Sequence, residues 1–549
     1  MKKLFSLTAF SLFLLSGSVH AQLYISAGST FFIQPAGVVT VQGDITGLTD
    51  IQGGGKVLLK GSALQNVNMN GFIIPNLELD NTANAALTGN TKIGSSLLFT
   101  NGKILAGNFN LNLADVATVS GMGTSKFVET SGTGQVIKEM STNLTSSEIP
   151  VGAGTLYRPA FLTTTGTTGG NAGIRVLPVA DPNLPINISD HLNVYWPVTK
   201  TGAVGTLNVA GKYDISDVAA GSTQANLFGY YYTPTDWSSA GESHTPASFL
   251  VAAPIAAASG DLTGIDKFDL VSTKVFLQGA YAGAGVMNDL LRTSGAGGTN
   301  QIPLADPYRT APYGPTAYAH VNNPINEVAA ASVFTVQAPT TNNIVDWVFL
   351  ELRNNTTPGN TVLQTRSALI RRDGMVVDVD GISPVTFNNI PTGSYTLAVR
   401  HRNHLGIATD LVNFQHNFSD VKSGITPVDF TTATNNQIYG DANAFTLNGS
   451  TVLLWSGDAN NNKTVKYSGS NNDANAVLSQ VLGFAGNTSG AYNYNAAIGY
   501  FSGDINMDGK VKYAGSNNDS NIILTNVLAY PGNTSGAYNY SLFTAQLPN

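Results

Sequence analysis

From residue 22 to about residue 148, apolar and polar residues alternate in short runs broken by glycine and asparagine. Val39-Thr40-Val41, Val57-Leu58-Leu59, Leu77-Glu78-Leu79 and Leu111-Asn112-Leu113 are examples, with turn residues such as Asn101-Gly102 between runs. Alternation with period two sends one set of side chains inward and the other outward on a strand. Short rungs with frequent turns predict a β-solenoid or irregular β-helix, with a sandwich as the rival. At Ile149-Pro150-Val151-Gly152 the texture changes, and Gly173 to Val179, His191 to Val198 and Leu227 to Tyr232 read as longer strands of a sandwich-like domain over 149–273.

A third block, 274–432, reads as a second β-sandwich. Val345 to Leu352 is a strong strand. Asp373-Gly374, between Ser367–Arg372 and Met375–Val379, predicts a hairpin whose type I′ turn has positive φ angles. Ile390 to Val399 reads as a turn feeding an alternating strand.

The last block, 433–549, contains an internal duplication. Gly457 to Tyr494 and Gly503 to Tyr540 align without a gap, and both copies end in the identical GNTSGAYNY. In the second copy Asp504, Asn506 and Asp508 take the first, third and fifth positions of a turning loop, where alternate side chains point inward. Gly509 makes the sharp sixth position, and Lys510 offers its carbonyl at the seventh. Calcium takes six to eight hard oxygens, which this pattern supplies. Beyond the loop, Ile523, Leu524, Val527 and Leu528 fall at helical spacing before Pro531. The first copy has Asp458, Asn460 and Asn462, with fewer negative charges, and Lys463 in place of the turn glycine. Weaker calcium binding is expected there. Val477, Leu478, Val481 and Leu482 form the matching helix.

These repeats resemble dockerin type I repeats, duplicated loop–helix calcium modules, over roughly the last hundred residues. The resemblance implies structural Ca2+ and an acidic ligand at the twelfth loop position. Gly515 and Gly469 stand there instead, and the nearest acids, Asp519 and Asp473, come four residues later. Either these carboxylates close the cage across an insertion or they cap the helix N-terminus, and capping is the favoured expectation.

Composition sets the compartment and narrows the chemistry. Lys2, Lys3 and the apolar run Leu4 to Leu15, followed by Val19-His20-Ala21, read as a secretory signal over 1–21, too short to span a bilayer. The net charge of −7 without a basic cluster argues against a nucleic-acid partner, and the absence of cysteine removes thiolate metal sites and cysteine nucleophiles. Only 11% of residues are charged, which suits strands and turns better than charged helices.

Gly279-Ala280-Tyr281, Met287-Asn288-Asp289, the strand Val345 to Arg353, Arg371 to Gly374 and Val399 to Gly406 resemble a module of Bacteroidota-type secreted surface proteins, many labelled hemagglutinin-like. The resemblance, from Lys274 onward, implies surface display or adhesion.

No nucleophile elbow, zinc helix or P-loop is present. His401 and His404 are metal suspects, but residues three apart on a strand face opposite sides, and Arg400 and Arg402 repel a cation. Asp378 and Asp380 are better read as turn residues, and Tyr230-Tyr231-Tyr232 with Trp237 as packing rather than a sugar platform. The expected protein is therefore mainly β, multidomain and non-catalytic. It is secreted or held at the outer cell surface, and it meets a cell-surface glycan or protein ligand. The alternatives are a dockerin-like attachment module and a polysaccharide-active enzyme.

Overall fold

The computed structural model describes residues 22–234, 237–238, 243–354, 361–390, 393–411, 416–418, 427–541 and 543–548. The expected signal segment 1–21 and the turn residues Pro391 and Thr392 lie outside the described residues. Of the described residues, 40% are in strands and 9% in helices. Its contacts gather into two units, one of residues up to 182 with 190–265, the other of 183–189 with 266–549.

The alternating runs of the first unit stack as rungs of a β-solenoid of about six turns. On one face Val38–Val41, Lys56–Leu59, Ile73–Asp80, Thr91–Asn101, Leu111–Leu113 and Val136–Met140 pair in parallel. On another, Leu23–Ile25, Ile45–Gly47, Gln65–Asn68, Ala85–Leu87, Ile104–Leu105, Val128–Glu129 and Val151–Ala153 do the same. Successive rungs are roughly 20 residues apart, Val57 against Leu77 for instance. Val57, Leu59, Leu77, Leu79 and Ile93 fill the interior, while Lys56 and Glu78 pair outside. The solenoid therefore prevails over the sandwich for this segment, because in-register stacking buries one side-chain set of every short rung.

The first sheet then changes direction without a break. Val136–Met140 pairs in parallel with Leu111–Leu113 on one side and antiparallel with Gly169–Ile174 on the other. Beyond come His191–Ala203, Ser259–Asp266 and Leu227–Tyr232. A second sheet, Ser147–Ile149, Ala160–Thr165, Thr206–Lys212, Leu250–Ile255 and Ser243–Thr245, belongs to the same core. Trp196 is fully buried in that core, its indole donating to the Arg158 carbonyl at 2.9 Å. Tyr230, Tyr231 and Trp237 are also buried, as packing residues.

In the second unit, Ile344–Arg353 is the central strand, buried along its whole length, with Val362–Arg371 and Gly393–His401 as antiparallel neighbours. The sheet continues through Met375–Val377 on one side and His404–Ala408 on the other. The expected hairpin at Asp373-Gly374 is present, but its turn is not type I′. The Gly374 amide donates to the Arg371 carbonyl at 2.9 Å, so the central residues of the turn are Arg372 and Asp373, neither with positive φ, and Gly374 follows them at +84°. One extra residue in the loop produces a type I turn followed by a left-handed glycine. The duplicated region adds two helices, α1 (Asp473–Gly483) and α2 (Asp519–Ala529). Val477, Val481, Ile523 and Val527 share one core with Leu405, Trp455 and Phe543.

Candidate functional site

The two copies adopt the same backbone conformation. Left-handed residues recur at matched positions: Asn461 and Met507, Lys463 and Gly509, Gly469 and Gly515, Asn471 and Asn517. At the sixth loop position Gly509 has φ +83°, which glycine adopts freely. Lys463 is held at φ +66°, a conformation that costs a non-glycine residue about 1–2 kcal/mol.

Asp504 and Asp458 begin the loops, fully or almost fully buried. The Asp504 carboxylate accepts from the amides of Asp508 (3.0 Å) and Gly509 (2.8 Å), and Asp458 accepts from those of Asn462 and Lys463 (2.9 Å each). Asn506 Oδ1 also accepts from the Asp508 amide, and Asp508 Oδ1 from the Lys510 amide, both at 3.0 Å. In the first copy Asn460 and Asn462 accept from the amides of Asn462 and Thr464 in the same way. Lys510–Val511 forms a two-residue strand with Ala497–Ile498.

Asp519 and Asp473 do not cap their helices, as the sequence had suggested. The capping residue is one earlier: Asn518 accepts from the Asn521 amide and Asn472 from the Asn475 amide, both at 2.8 Å. Asp519 instead turns back onto its loop and accepts from the amides of Ile505 (2.8 Å), Asn506 (3.3 Å) and Lys512 (2.8 Å). Asp473 accepts from the amides of Asn460 (3.2 Å) and Lys466 (2.7 Å). With asparagine as the cap, the neighbouring aspartate is left free to face the loop.

Each loop therefore brings two buried carboxylates onto one stretch of backbone, and the second loop adds Asp508. Burial pushes all four buried carboxyls above the ordinary carboxylate range, Asp458 and Asp519 to about 7. Repulsion from Asp519 adds to the rise at Asp504, and repulsion from Asp458 to that at Asp473. Among the described residues, no three His, Cys, Asp or Glu side chains gather as a metal cluster, so a cation here would also draw on asparagine and backbone oxygens.

The copies are interlocked. Gln480 of α1 accepts from the Gly503 amide (2.8 Å) and donates to Ser502 Oγ (2.9 Å), both just ahead of the second loop. Asn526, its counterpart in α2, donates to the Ser456 carbonyl (2.9 Å) and hydroxyl (3.0 Å), just ahead of the first. Lys510–Val511 of the second loop pairs with the segment trailing the first copy. Thr464 of the first loop bridges to Thr544, which trails the second.

A hairpin tip from the β-sheet reaches both loops. Asn403 accepts from the Gly457 amide through its carbonyl (2.9 Å) and donates through Nδ2 to the Asp504 carbonyl (2.6 Å). Arg402 donates to the Phe501 carbonyl and, through Nε, to Asp346 at 2.9 Å. The positive charge of Arg400 favours ionised Asp458, and that of Arg402 favours ionised Asp504. Gly279 fits under this contact because a Cβ there would lie 2.0 Å from the Ile505 carbonyl oxygen.

His401 and His404 do not face opposite sides. They flank the two-residue turn Arg402-Asn403 and so become cross-strand partners, with Nδ1 atoms 3.0 Å apart. Their hydrogen bonds fix the tautomers. The Gly279 amide donates to His404 Nε2 (3.0 Å), so His404 carries its proton on Nδ1, directed at Asn403 Oδ1 (2.7 Å) and His401 Nδ1. His401 Nε2 then donates to Asp346 (3.1 Å). Burial lowers the pKa of both rings, and every ring nitrogen already has a partner. Burial alone would raise the Asp346 pKa, but Arg402, His401 and Tyr500 together hold it down at about 2. Asp378 is a buried partner of Arg366, and Asp380 accepts from the Ile382 and Ser383 amides of its turn.

No helix among the described residues is long and apolar enough to cross a membrane. A scan against protein-family models finds no match, and a search of curated proteins finds no similar sequence.

Proposed function

We propose that this chain is a secreted or cell-surface, non-catalytic adhesion or scaffold protein whose C-terminal repeat pair binds structural calcium. The observation that carries the calcium reading is the buried carboxylate pair of each loop, Asp504 with Asp519 and Asp458 with Asp473. Paired carboxylates out of water are costly without a countercharge, and a hard divalent cation removes that cost. Asp504, Asn506, Asp508, the Lys510 carbonyl and Asp519 would hold the ion in the second loop. Asp458, Asn460, Asn462 and Asp473 would hold a weaker one in the first. A ligand at 100 times its Kd stabilises the fold by about 2.7 kcal/mol per site. Melting the protein in calcium and in chelator tests the reading, and identical curves would sink it. The partner is a cell-surface glycan or protein, supported by the resemblance to secreted surface proteins and the long solenoid. Binding to cells or glycan arrays is the assay for it.

A second reading, attachment to a partner protein through the repeats, is favoured by one observation. Leu482 and Leu528 are each 41% exposed, and Tyr492 and Tyr538 are 60% and 64% exposed, so both copies present the same apolar residues. A single stoichiometric protein captured from the envelope fraction, and lost on Leu528→Asp, would support docking over adhesion.

A further inference from the structure

We infer that a cavity of the second unit, floored by Asn388 and Gln364, binds one neutral sugar ring, the terminal residue of a surface glycan. The inference rests on the adhesion reading and gives it a place and a ligand class.

The cavity measures about 230 Å3. Gln364 and Asn388 are buried at its floor, 6% and 5% exposed. Ser189, Asn322 and Asn389 are exposed at its rim, and Leu363 and Ile390 line it half-buried. No charged side chain lines it. Pockets for drug-sized ligands run to roughly 300–1,000 Å3, so this one suits a single ring.

Hydrogen bonds fix which way the amides face. Asn388 Nδ2 donates to the Asn187 carbonyl (3.0 Å) and to Ser189 Oγ (3.1 Å). A flipped amide would set its oxygen against that carbonyl, so the orientation is determined. Asn388 Oδ1 is then buried without a hydrogen-bond partner. Folded proteins seldom leave such an acceptor unmet, and a bound molecule is one reason they do. The rim repeats the arrangement. Asn322 Nδ2 donates to the Leu363 carbonyl (2.8 Å) and Asn389 Nδ2 to Asp266 (3.1 Å), which leaves both Oδ1 atoms for a ligand. Gln364 holds the set together, accepting from the Asn388 amide (3.1 Å) and donating to the Asn322 carbonyl (2.9 Å). Ser189 Oγ accepts from Asn388 and keeps its own proton to donate.

Three amide oxygens of this kind call for a ligand rich in donors. An anion would meet only repulsion from them, and a hard cation would give up its water for a site without a carboxylate. Neutral hydroxyls on adjacent carbons match instead: they donate to the Oδ1 atoms and accept from Ser189, while the C–H face of the ring lies on Leu363 and Ile390. One water would satisfy Asn388 Oδ1 alone, but it would leave most of the cavity and its apolar lining unused.

Calorimetry and saturation-transfer NMR on the full chain, with the methyl glycosides of glucose, galactose, mannose and N-acetylglucosamine as probes, test the site. The expected result is saturable one-to-one binding of at least one glycoside. Asn388→Leu should weaken it at least about tenfold, as the loss of a hydrogen bond to a buried acceptor does. Should Asn388→Leu lose its native near-ultraviolet circular dichroism, the double variant Asn322→Gly, Asn389→Gly replaces it, with the same expected loss. Those asparagines stand at φ +46° and +57°, which glycine adopts freely. Unchanged affinity in the folded variant overturns the site, and so does calcium chloride heat that disappears in the same variant. A glycan array separates the remaining failures. Array binding that survives the substitution leaves adhesion standing and overturns the cavity as its site. Wild type that binds no glycan on the array and no glycoside in solution overturns the glycan reading itself.

Discussion

Gly279→Ala measures how tightly the second loop is seated on the β-sheet. Alanine at this position keeps the amide that donates to His404, and Gly279 does not occupy the left-handed region. The effect is therefore steric. The new Cβ would stand 2.0 Å from the Ile505 carbonyl oxygen, more than 1 Å inside the roughly 3.3 Å at which carbon and oxygen touch. The obstructing atom is backbone, and the Ile505 amide is held by Asp519, so the loop has no flexible side chain to move aside. Overpacking of this kind costs about 3 kcal/mol at its upper range, which lowers Tm by roughly 5 °C for a unit of this size. Gly283→Ala is the control. It has φ +92° with nothing within 4 Å of the added atom, so only the backbone conformation is penalised, by about 1 kcal/mol. Denaturant unfolding gives both values, and hydrogen exchange over residues 504–529 shows where the damage falls. Equal losses for the two variants, or unchanged exchange in that segment for Gly279→Ala, would refute the tight seating of loop on sheet.

The remaining predictions are more local. Gly509→Ala places a Cβ 1.8 Å from Ser294 Oγ at φ +83°, so it should destabilise by about 2–3 kcal/mol in denaturant unfolding, whereas Lys463→Ala at the matched position should change stability by under about 1 kcal/mol. Leu79→Ala, fully buried between rungs, should cost about 2–5 kcal/mol in the same assay. Tyr500→Phe removes a 2.7 Å hydrogen bond to buried Asp346 and should cost about 1.5–3 kcal/mol. The lowered pKa values of His401 and His404 mean that below about pH 6.5 the unfolded chain takes up protons that the folded chain refuses, so stability falls with acid by up to about 1.4 kcal/mol per pH unit per histidine. The double variant His401→Gln, His404→Gln should lose that slope, read as the difference from wild type so that the loop carboxylates cancel.

The solenoid and the helices were legible because their information is local. Rungs such as Leu77 to Leu79 have period two, and Ile523 with Val527 repeats at helical spacing. The duplication showed itself by identity alone. What stayed hidden depends on long-range placement. Asp519 reads as a cap until the structure shows Asn518 in that role. His401 and His404 read as opposed until the turn is placed between them. Gly279 has no visible reason in sequence, since Ile505, the residue that excludes a side chain there, is more than two hundred positions away. The crossed contacts of Gln480 and Asn526 had one faint signal: both are amides at matched positions of the two copies.

The sheet that runs unbroken from the solenoid rungs into antiparallel strands has a mechanical consequence. Val136–Met140 is bonded on both edges, to a parallel rung on one side and an antiparallel strand on the other, so there is no hinge at the junction. Bending there would have to break ladder hydrogen bonds rather than flex a linker. Load applied along the stack passes from rung to rung through backbone hydrogen bonds and enters the antiparallel part through the same lattice. A junction built this way yields only by losing ladder hydrogen bonds, so the rungs and the antiparallel strands keep one orientation until pairing is lost.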